Sequence, residues 1–264
     1  MSLSPAVAHR RRPLAAAALL SAGLLVTGCA DTSAPAPAPA AGAARDGGSH
    51  AGKSAPQPFA ARAERAVPDG IPGLGPRTRK LIPESARQAV VVTGEGHDAN
   101  RAGVVLYTRG AEAGWQPAGA SWPAHNALHG WSDNHQVGDL RSPEGVFGLT
   151  DAGGRKADPG TRLPYDRGSA FVAPGTGFDG EPLAGAFDYV VAINYNRRPG
   201  TSPLDWTRPL GAGRGGGVWF HVDHGGPTHG CVSLPEQRMK ELLRWLDPAK
   251  NPVVVMGDPS WLGR

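Results

Sequence analysis

Residues 220–236 bring together the side-chain types of a nucleophilic site. The stretch reads FHVDHGGPTHGCVSLPE and holds three of the nine histidines of the chain, together with Cys231. A thiol must lose its proton before it attacks a carbonyl group, so an imidazole two residues away suits nucleophilic catalysis. We therefore take Cys231 as the candidate nucleophile and His221 and His229 as candidate bases.

The elements around Cys231 must bring these side chains together. Residues 217–222 predict a strand, and residues 227–232 are expected to return beside it as a hairpin whose turn contains Gly225 and Gly226. With an odd loop length, His221, His229 and Cys231 share one face. Parity does not decide between the histidines. We favour His221 because it stands on the partner strand, where its ring can approach the sulfur from the side.

A helix is predicted directly after the cysteine. Ser233 and Glu236 have the spacing of a capping box, and apolar residues then recur at helical spacing until Asp247 and Pro248 end the pattern: Met239, Leu242, Leu243 and Leu246. This would place Cys231 about two residues before a helix N-terminus. The partial positive charge of such a terminus would favour the thiolate.

Further candidate site residues lie earlier in the chain. Residues 138–147, GDLRSPEGVF, contain Arg141, and a segment rich in histidine and tryptophan ends at His135. A predicted strand at residues 189–193 leads into Asn194, whose amide would suit a peptide substrate. Each of these residues is also compatible with a structural role in a turn or the core. The candidates for substrate binding are Thr228, Ser233, Asn194, Arg141 and His135.

Two of these segments carry a family resemblance. Residues 228–232, THGCV, resemble the active-site signature of the L,D-transpeptidases, the YkuD-type cysteine enzymes that crosslink bacterial peptidoglycan. Residues 138–147 resemble the Gly-Asp-x-(Arg/Lys)-(Ser/Thr)-Pro-x-Gly-x-(Phe/Tyr) segment found upstream in such domains. The resemblance spans roughly residues 87–257. It implies a mainly β, sandwich-like or barrel-like catalytic domain with a helix after the catalytic cysteine.

The resemblance also implies an activity. Cys231 would form an acyl-enzyme from a peptidoglycan stem peptide and transfer it to an amine, with the upstream histidine, His221, as base. His229 and Gly230 belong to the same signature, and backbone N–H groups near Gly230 and Cys231 would stabilise the oxyanion. Water as the acceptor would make the enzyme a carboxypeptidase. The family needs no cofactor or metal.

The sequence departs from the family pattern at two places. Only six residues separate His221 from Thr228, where family members carry a longer insertion that helps to shape the acceptor side. Ser233 stands where the family usually has Asn or Arg. Both departures put the choice of substrate in doubt.

Two other function classes remain open. His221, His224, His229 and Cys231 include residue types that bind zinc, so a zinc-dependent cell-wall peptidase is one alternative, although the sequence has no HExxH helix. The second alternative is a non-catalytic wall-binding lipoprotein with a degenerate site.

The composition predicts three regions. Residues 1–28 read as a lipoprotein signal peptide, with a basic start and an apolar run. Residues 29–68 are rich in Ala and Pro and read as a disordered tether. Residues 69–264 are the catalytic domain, where short apolar runs between many Gly and Pro residues indicate a β-rich fold. We expect a monomer.

The first region also sets the expected location. Residues 26–29, VTGC, resemble the bacterial lipobox, so Cys29 would be lipidated and would anchor the protein to the cell membrane, facing the wall. Cys231 would then be a free thiol. Losing the three arginines of the signal lowers the formal charge from +4 to about +1, so we expect no nucleic-acid partner.

The proposed anchor is tested by Cys29→Ala. The variant should leave the membrane fraction for the soluble or secreted fraction, because no residue remains to carry the lipid. The measurement is fractionation followed by immunoblotting, and equal membrane retention of both forms would contradict the lipobox interpretation.

Overall fold

The computed structural model describes residues 70–264. The signal peptide, the tether and Cys29 lie outside these residues, so their interpretation stays a prediction. Within the described residues, no helix combines the length and the apolar character needed to cross a bilayer.

Short strands dominate the described residues, which confirms the prediction of a mainly β fold. The strands are β1 (Gln88–Gly94), β2 (Arg101–Gly110), β3 (Gly114–Pro117), β4 (Trp122–His125), β5 (Trp131–Ser132), β6 (Ser142–Pro143), β7 (Gly145–Gly148), β8 (Ala152–Gly154), β9 (Tyr165–Arg167), β10 (Val190–Ala192), β11 (Trp219–Val222), β12 (Val232–Leu234) and β13 (Val253–Gly257). The helices are α1 (Pro76–Leu81), α2 (Glu236–Trp245) and α3 (Pro259–Leu262).

Eleven strands form one sheet in the order β7-β13-β1-β2-β4-β12-β11-β10-β8-β9, with β3 paired to β2. β1 pairs with β13 in parallel and with β2 antiparallel, so the valine-rich runs of β1 and β13 lie side by side. Val90 and Val254 point into the main core, while Val91 and Val255 point into a second core on the other face. Because both faces are covered, these strands read as continuous apolar runs.

The strand pair nearest the cysteine corrects the predicted hairpin. β11 and β12 are parallel, with Phe220 opposite Val232 and His221 opposite Ser233. β12 also pairs antiparallel with β4, where Ser233 lies opposite His125. The chain therefore leaves β11, loops back to the start of that strand and forms β12 between β11 and β4. β12 runs in the same direction as β11, whereas a hairpin would have reversed the direction.

Helix α2 covers the main core, and it begins later than predicted. Met239, Leu242 and Leu243 are buried on one face, as their spacing predicts, and the helix ends before Asp247. The predicted capping box is wrong. The residue before the helix is Pro235, which makes no side-chain cap, and Ser233 lies in β12.

A buried ion pair stabilises the segment that follows β10. Arg197 Nη1 lies 2.8 Å from Asp151 Oδ2, and both side chains are almost fully buried. Asp151 also accepts hydrogen bonds from Thr150 and from the backbone N–H of Gly200. The pair ties the residues after β10 to those before β8.

Asp151→Ala should lower the free energy of unfolding by about 3–5 kcal/mol, because it leaves the Arg197 charge buried without a partner. The measurement is denaturation by urea. Asp98→Ala is a matched control, since it removes an exposed carboxylate that pairs with Arg141, and it should have a much smaller effect. Equal losses in the two variants would contradict this account.

Candidate active site

Cys231 lies directly before β12 in a partly buried apolar environment. Its Sγ accepts a hydrogen bond from the Trp219 backbone N–H at 3.4 Å and lies 3.7 Å from the Gly217 carbonyl oxygen, to which it can donate. The side chain packs against Trp219 and the neighbouring buried residues Phe171, Val190 and Ala192. Burial raises the pKa of the thiol to about 11, and the hydrogen bond from Trp219 only partly offsets this rise.

This environment corrects the expected thiolate. The cysteine does not lie at a helix terminus, because β12 and Pro235 separate it from α2. The favourable dipole of α2 falls off within about one turn and does not reach the sulfur. Cys231 is therefore a protonated thiol at neutral pH.

His221 lies on β11 and is buried. Its Nδ1 lies 2.9 Å from the carbonyl oxygen of Val222. A carbonyl only accepts hydrogen bonds, so Nδ1 carries the proton and Nε2 keeps a free lone pair. Burial lowers the pKa of His221 to about 4. The imidazole is therefore neutral and able to accept a proton.

Cys231 and His221 face the same side of the sheet. Phe220 and Val232 point into the main core, so the alternate residues of β11 and the residue before β12 point the other way. Cys231 contacts Trp219, and His221, two residues after Trp219, is the next residue of β11 on this face. Among residues 70–264, no hydrogen bond joins His221 to Cys231. Such contacts often tighten only when substrate binds.

The loop before Cys231 carries the other signature residues. His229 is exposed, and its ring lies 4.6 Å from that of Phe178. Thr228 is buried, and its hydroxyl donates to the Cys231 carbonyl at 2.7 Å and accepts from the Gly230 N–H at 3.3 Å. Thr228 therefore shapes the turn around the nucleophile with its side chain.

Ser233 belongs to a polar cluster that the sequence analysis missed. Its hydroxyl donates to Asp223 Oδ1 at 2.9 Å, and the same oxygen lies 2.9 Å from His125 Nδ1. The Gly225 N–H also points to it, at 3.3 Å. Although burial opposes ionisation, the hydrogen bonds from His125 and Ser233 hold the pKa of Asp223 below its ordinary value. In the sequence, this cluster is indicated only by the polar types of its members, His125, Asp223 and Ser233, which lie on separate segments.

The three upstream candidates are placed differently. The Arg141 guanidinium binds Asp98 at 2.7 Å and the Trp131 carbonyl at 2.9 Å. The Asn194 side chain binds Arg197 at 2.6 Å and Thr150 at 3.0 Å. Neither side chain is directed to the cysteine by these contacts, so substrate binding by Arg141 and Asn194 stays a prediction that the geometry does not favour.

His135, in contrast, lies behind the nucleophile turn. A Cβ added to Gly230 would lie 3.8 Å from His135 Cε1. The His135 Nδ1 is 2.9 Å from Asp139 Oδ1 but off the line of a good hydrogen bond. Burial lowers the pKa of this buried histidine, against the opposing effect of Asp139. His135 is thus placed to support the turn from the core side.

An apolar groove, which the sequence did not indicate, lies next to the backbone that contacts the cysteine. It is lined by Phe187, Leu204, Trp206, Gly217 and Trp219, among others. Gly217 and Trp219 are the residues whose backbone atoms contact Sγ. Trp206 is 79% exposed at the outer end. The groove therefore offers an aromatic surface that shares Gly217 and Trp219 with the surroundings of the sulfur.

The candidate zinc ligands do not converge. The Nδ1 of His221 binds the Val222 carbonyl, and the Nδ1 of His224 binds Glu181. Across residues 70–264, no three or more His, Cys, Asp or Glu side chains are grouped so that they can hold a metal ion.

Comparisons with known proteins agree with the geometry. The family model for the L,D-transpeptidase catalytic domain, YkuD, matches residues 86–255, which is nearly two-thirds of the chain. The match contains both segments that carried the resemblance, residues 138–147 and 228–232. A search of curated proteins finds no match.

The buried neutral state of His221 predicts a pH dependence of stability. The folded pKa of about 4 lies below the ordinary value of 6.5, so the unfolded chain binds more protons between these values and stability falls as pH drops through this range. The loss should reach about 3 kcal/mol near pH 4. His221→Gln should remove this part of the loss. Urea denaturation of both proteins at pH 4, 5, 6 and 7 measures it, and parallel curves for the two proteins would contradict the assignment.

Proposed function

Because the chain belongs to the family of L,D-transpeptidase catalytic domains, we propose that it is a cysteine-dependent peptidoglycan L,D-transpeptidase with Cys231 as nucleophile. The family acts on peptidoglycan in the cell wall, outside the cytoplasm. The observation that carries the proposal is the placement of a protonated thiol and a neutral imidazole with a free Nε2 on one face of the sheet. These are the protonation states from which a general base starts.

His221 is the proposed base. It is buried on the face of Cys231, and its tautomer leaves Nε2 free to accept a proton. His229 is exposed and stacks on Phe178. His229 therefore contributes to the shape of the loop and to the acceptor side.

The reaction has two halves. In the first, His221 takes the thiol proton as Sγ attacks a stem-peptide carbonyl, and the backbone N–H of Cys231 stabilises the oxyanion, while the Gly230 N–H is held by the Thr228 hydroxyl. The C–N bond then breaks, the proton passes to the leaving amine, and a thioester remains. In the second half an acceptor amine gives its proton to His221 and attacks the thioester, the C–S bond breaks, and His221 returns the proton to Sγ, which regenerates the thiol. Water as acceptor would give carboxypeptidase activity, and neither half needs a cofactor.

The apolar groove is the proposed site of the acyl donor, since two of its lining residues, Gly217 and Trp219, contact the sulfur through their backbone atoms. Its aromatic lining suits the hydrocarbon parts of a peptide stem. Three of the candidate substrate-binding residues instead stabilise the loop before Cys231 in this proposal: Thr228, Ser233 and His135. In this proposal the protein acts as a monomer, and Cys29 anchors it to the membrane while the tether lets the catalytic domain reach the wall.

Incubation with purified muropeptides tests the activity. Mass spectrometry should detect crosslinked dimers with the natural protein and none with Cys231→Ser, since a hydroxyl is a far weaker nucleophile. A chelator should have no effect. Loss of activity to a chelator with rescue by zinc would favour the metallopeptidase, and binding to the wall without products would favour the non-catalytic alternative.

The choice of base is tested by the rate of acylation by a carbapenem, which family members accept as a substrate analogue. His221→Ala should slow acylation by about 100-fold or more, the usual effect of losing a general base. His229→Ala should cost less, because it changes only the packing on Phe178. The rates are followed by intact-protein mass spectrometry at several pH values. A near-normal rate in His221→Ala, with acylation abolished in His229→Ala, would reverse the assignment.

A further inference from the structure

A second histidine packs against His221. The rings of His221 and His224 are nearly parallel, with an angle of 9° and 5.7 Å between their centroids. The His224 side chain is only 6% exposed, and its Nδ1 lies 2.9 Å from Glu181 Oε1. A carboxylate thus fixes the ring that covers His221.

The local backbone is adapted to this carboxylate. A Cβ added to Gly226 would lie 2.3 Å from Glu181 Oε1, and one added to Gly177 would lie even closer to the same atom. Real Cβ atoms do not approach so closely, so a side chain at either position would require the Glu181 carboxylate to move from its present place beside His224. Gly226 was expected to serve the turn, and it also makes room for this contact.

The segment that contains Glu181 contacts the end of β11 and the loop at residues 223–231 at several points. Residues 176–182 form a tight turn, closed by a bridge between Thr176 and Pro182. The ring of Phe178 in this turn packs against that of His229 at an angle of 39°, and beyond the turn the Ala186 carbonyl accepts from the Val222 N–H at 3.0 Å. The loop between His221 and Cys231 is short, and this neighbouring turn supplies contacts on both of its sides.

We propose that Glu181 and His224 are positioning residues that hold the His221 ring in place for proton exchange with Cys231. This inference rests on the base role of His221 proposed above. The Nδ1 hydrogen bond to the Val222 carbonyl fixes the tautomer of His221 but leaves the ring free to tilt about that bond. The parallel ring of His224 on one side and the edge contact with Phe187, whose centroid is 5.5 Å away, restrict this tilt.

The same contacts keep water and protons from the ring. The titratable groups near His221 are Asp223 and His224 on the loop and Cys231 before β12. Burial is the main cause of the low pKa of His221, and the charge of His224 lowers it further. Loss of the His224 ring should therefore expose His221 and raise its pKa towards the ordinary value.

The test measures His221 directly, without any reaction. In the full protein, the NMR signal of the His221 ring, assigned by its loss in His221→Gln, is followed through a pH titration. His224→Ala should raise the midpoint by about one pH unit, because it removes the ring that covers His221. Glu181→Gln, which leaves that ring in place, should shift the midpoint less. Glu241→Gln, which removes a carboxylate paired with Arg238 on α2, is the matched control and should leave the midpoint unchanged.

A kinetic readout accompanies the titration. His224→Ala and Glu181→Gln should slow carbapenem acylation by about 10- to 100-fold, the range expected when a catalytic group is misplaced by about 1 Å. Gly226→Ala, which pushes the carboxylate away from His224, should act in the same direction and gives a second route if either variant folds poorly.

The outcomes separate this inference from the proposed function. An unchanged His221 midpoint in His224→Ala would overturn the positioning role, whatever the activity. A shifted midpoint in a protein whose natural form is never acylated would support the positioning role and reject the transpeptidase proposal.

Discussion

The parallel pairing of β11 with β12 is the constraint on which the site depends. It places Cys231 beside Trp219, and it places His221 on the same face, two residues further along β11. Two neighbouring strands that run parallel need a connection that carries the chain from the end of the first strand back to the level of its start. Because β11 and β12 have only four and three residues, the short loop at residues 223–231 is long enough for this return. The loop is then held by Asp223 on one side and Thr228 on the other.

The pattern of apolar residues along each segment predicted the individual strands and helix α2 well, but it predicted the pairing of the strands around Cys231 poorly. The valine-rich runs and the spacing of Met239, Leu242 and Leu243 depend on burial along one element, which periodicity reports directly. The hairpin was wrong because the path after Gly226 is decided by distant contacts, such as the bridge between Ala127 and Thr228. The capping box was wrong for a similar reason, since Ser233 is engaged by Asp223 and not by the helix.

The family signature could be found from the sequence, but the surroundings of its residues could not. Arg141 binds Asp98 and Asn194 binds Thr150, partners that lie 43 and 44 residues away in the chain. No spacing rule predicts such partners, so a polar side chain near a motif cannot be assigned to substrate from sequence alone. The same limit hid the aromatic groove and the contact between Glu181 and His224, which bring together segments from separate parts of the chain.

Burial gives the two reacting groups protonation states that suit an exported thiol. With a pKa of about 11 the cysteine stays protonated, and with a pKa of about 4 the histidine stays neutral, so this pair of states persists across the range between these values. Oxidation follows thiolate character, and a protonated, partly buried thiol resists it. The gap between the two pKa values also makes a preformed ion pair unfavourable. In the proposed mechanism, proton transfer to His221 therefore accompanies the attack of sulfur on the carbonyl, and the rate then depends on the position of the imidazole and of the groups that hold it.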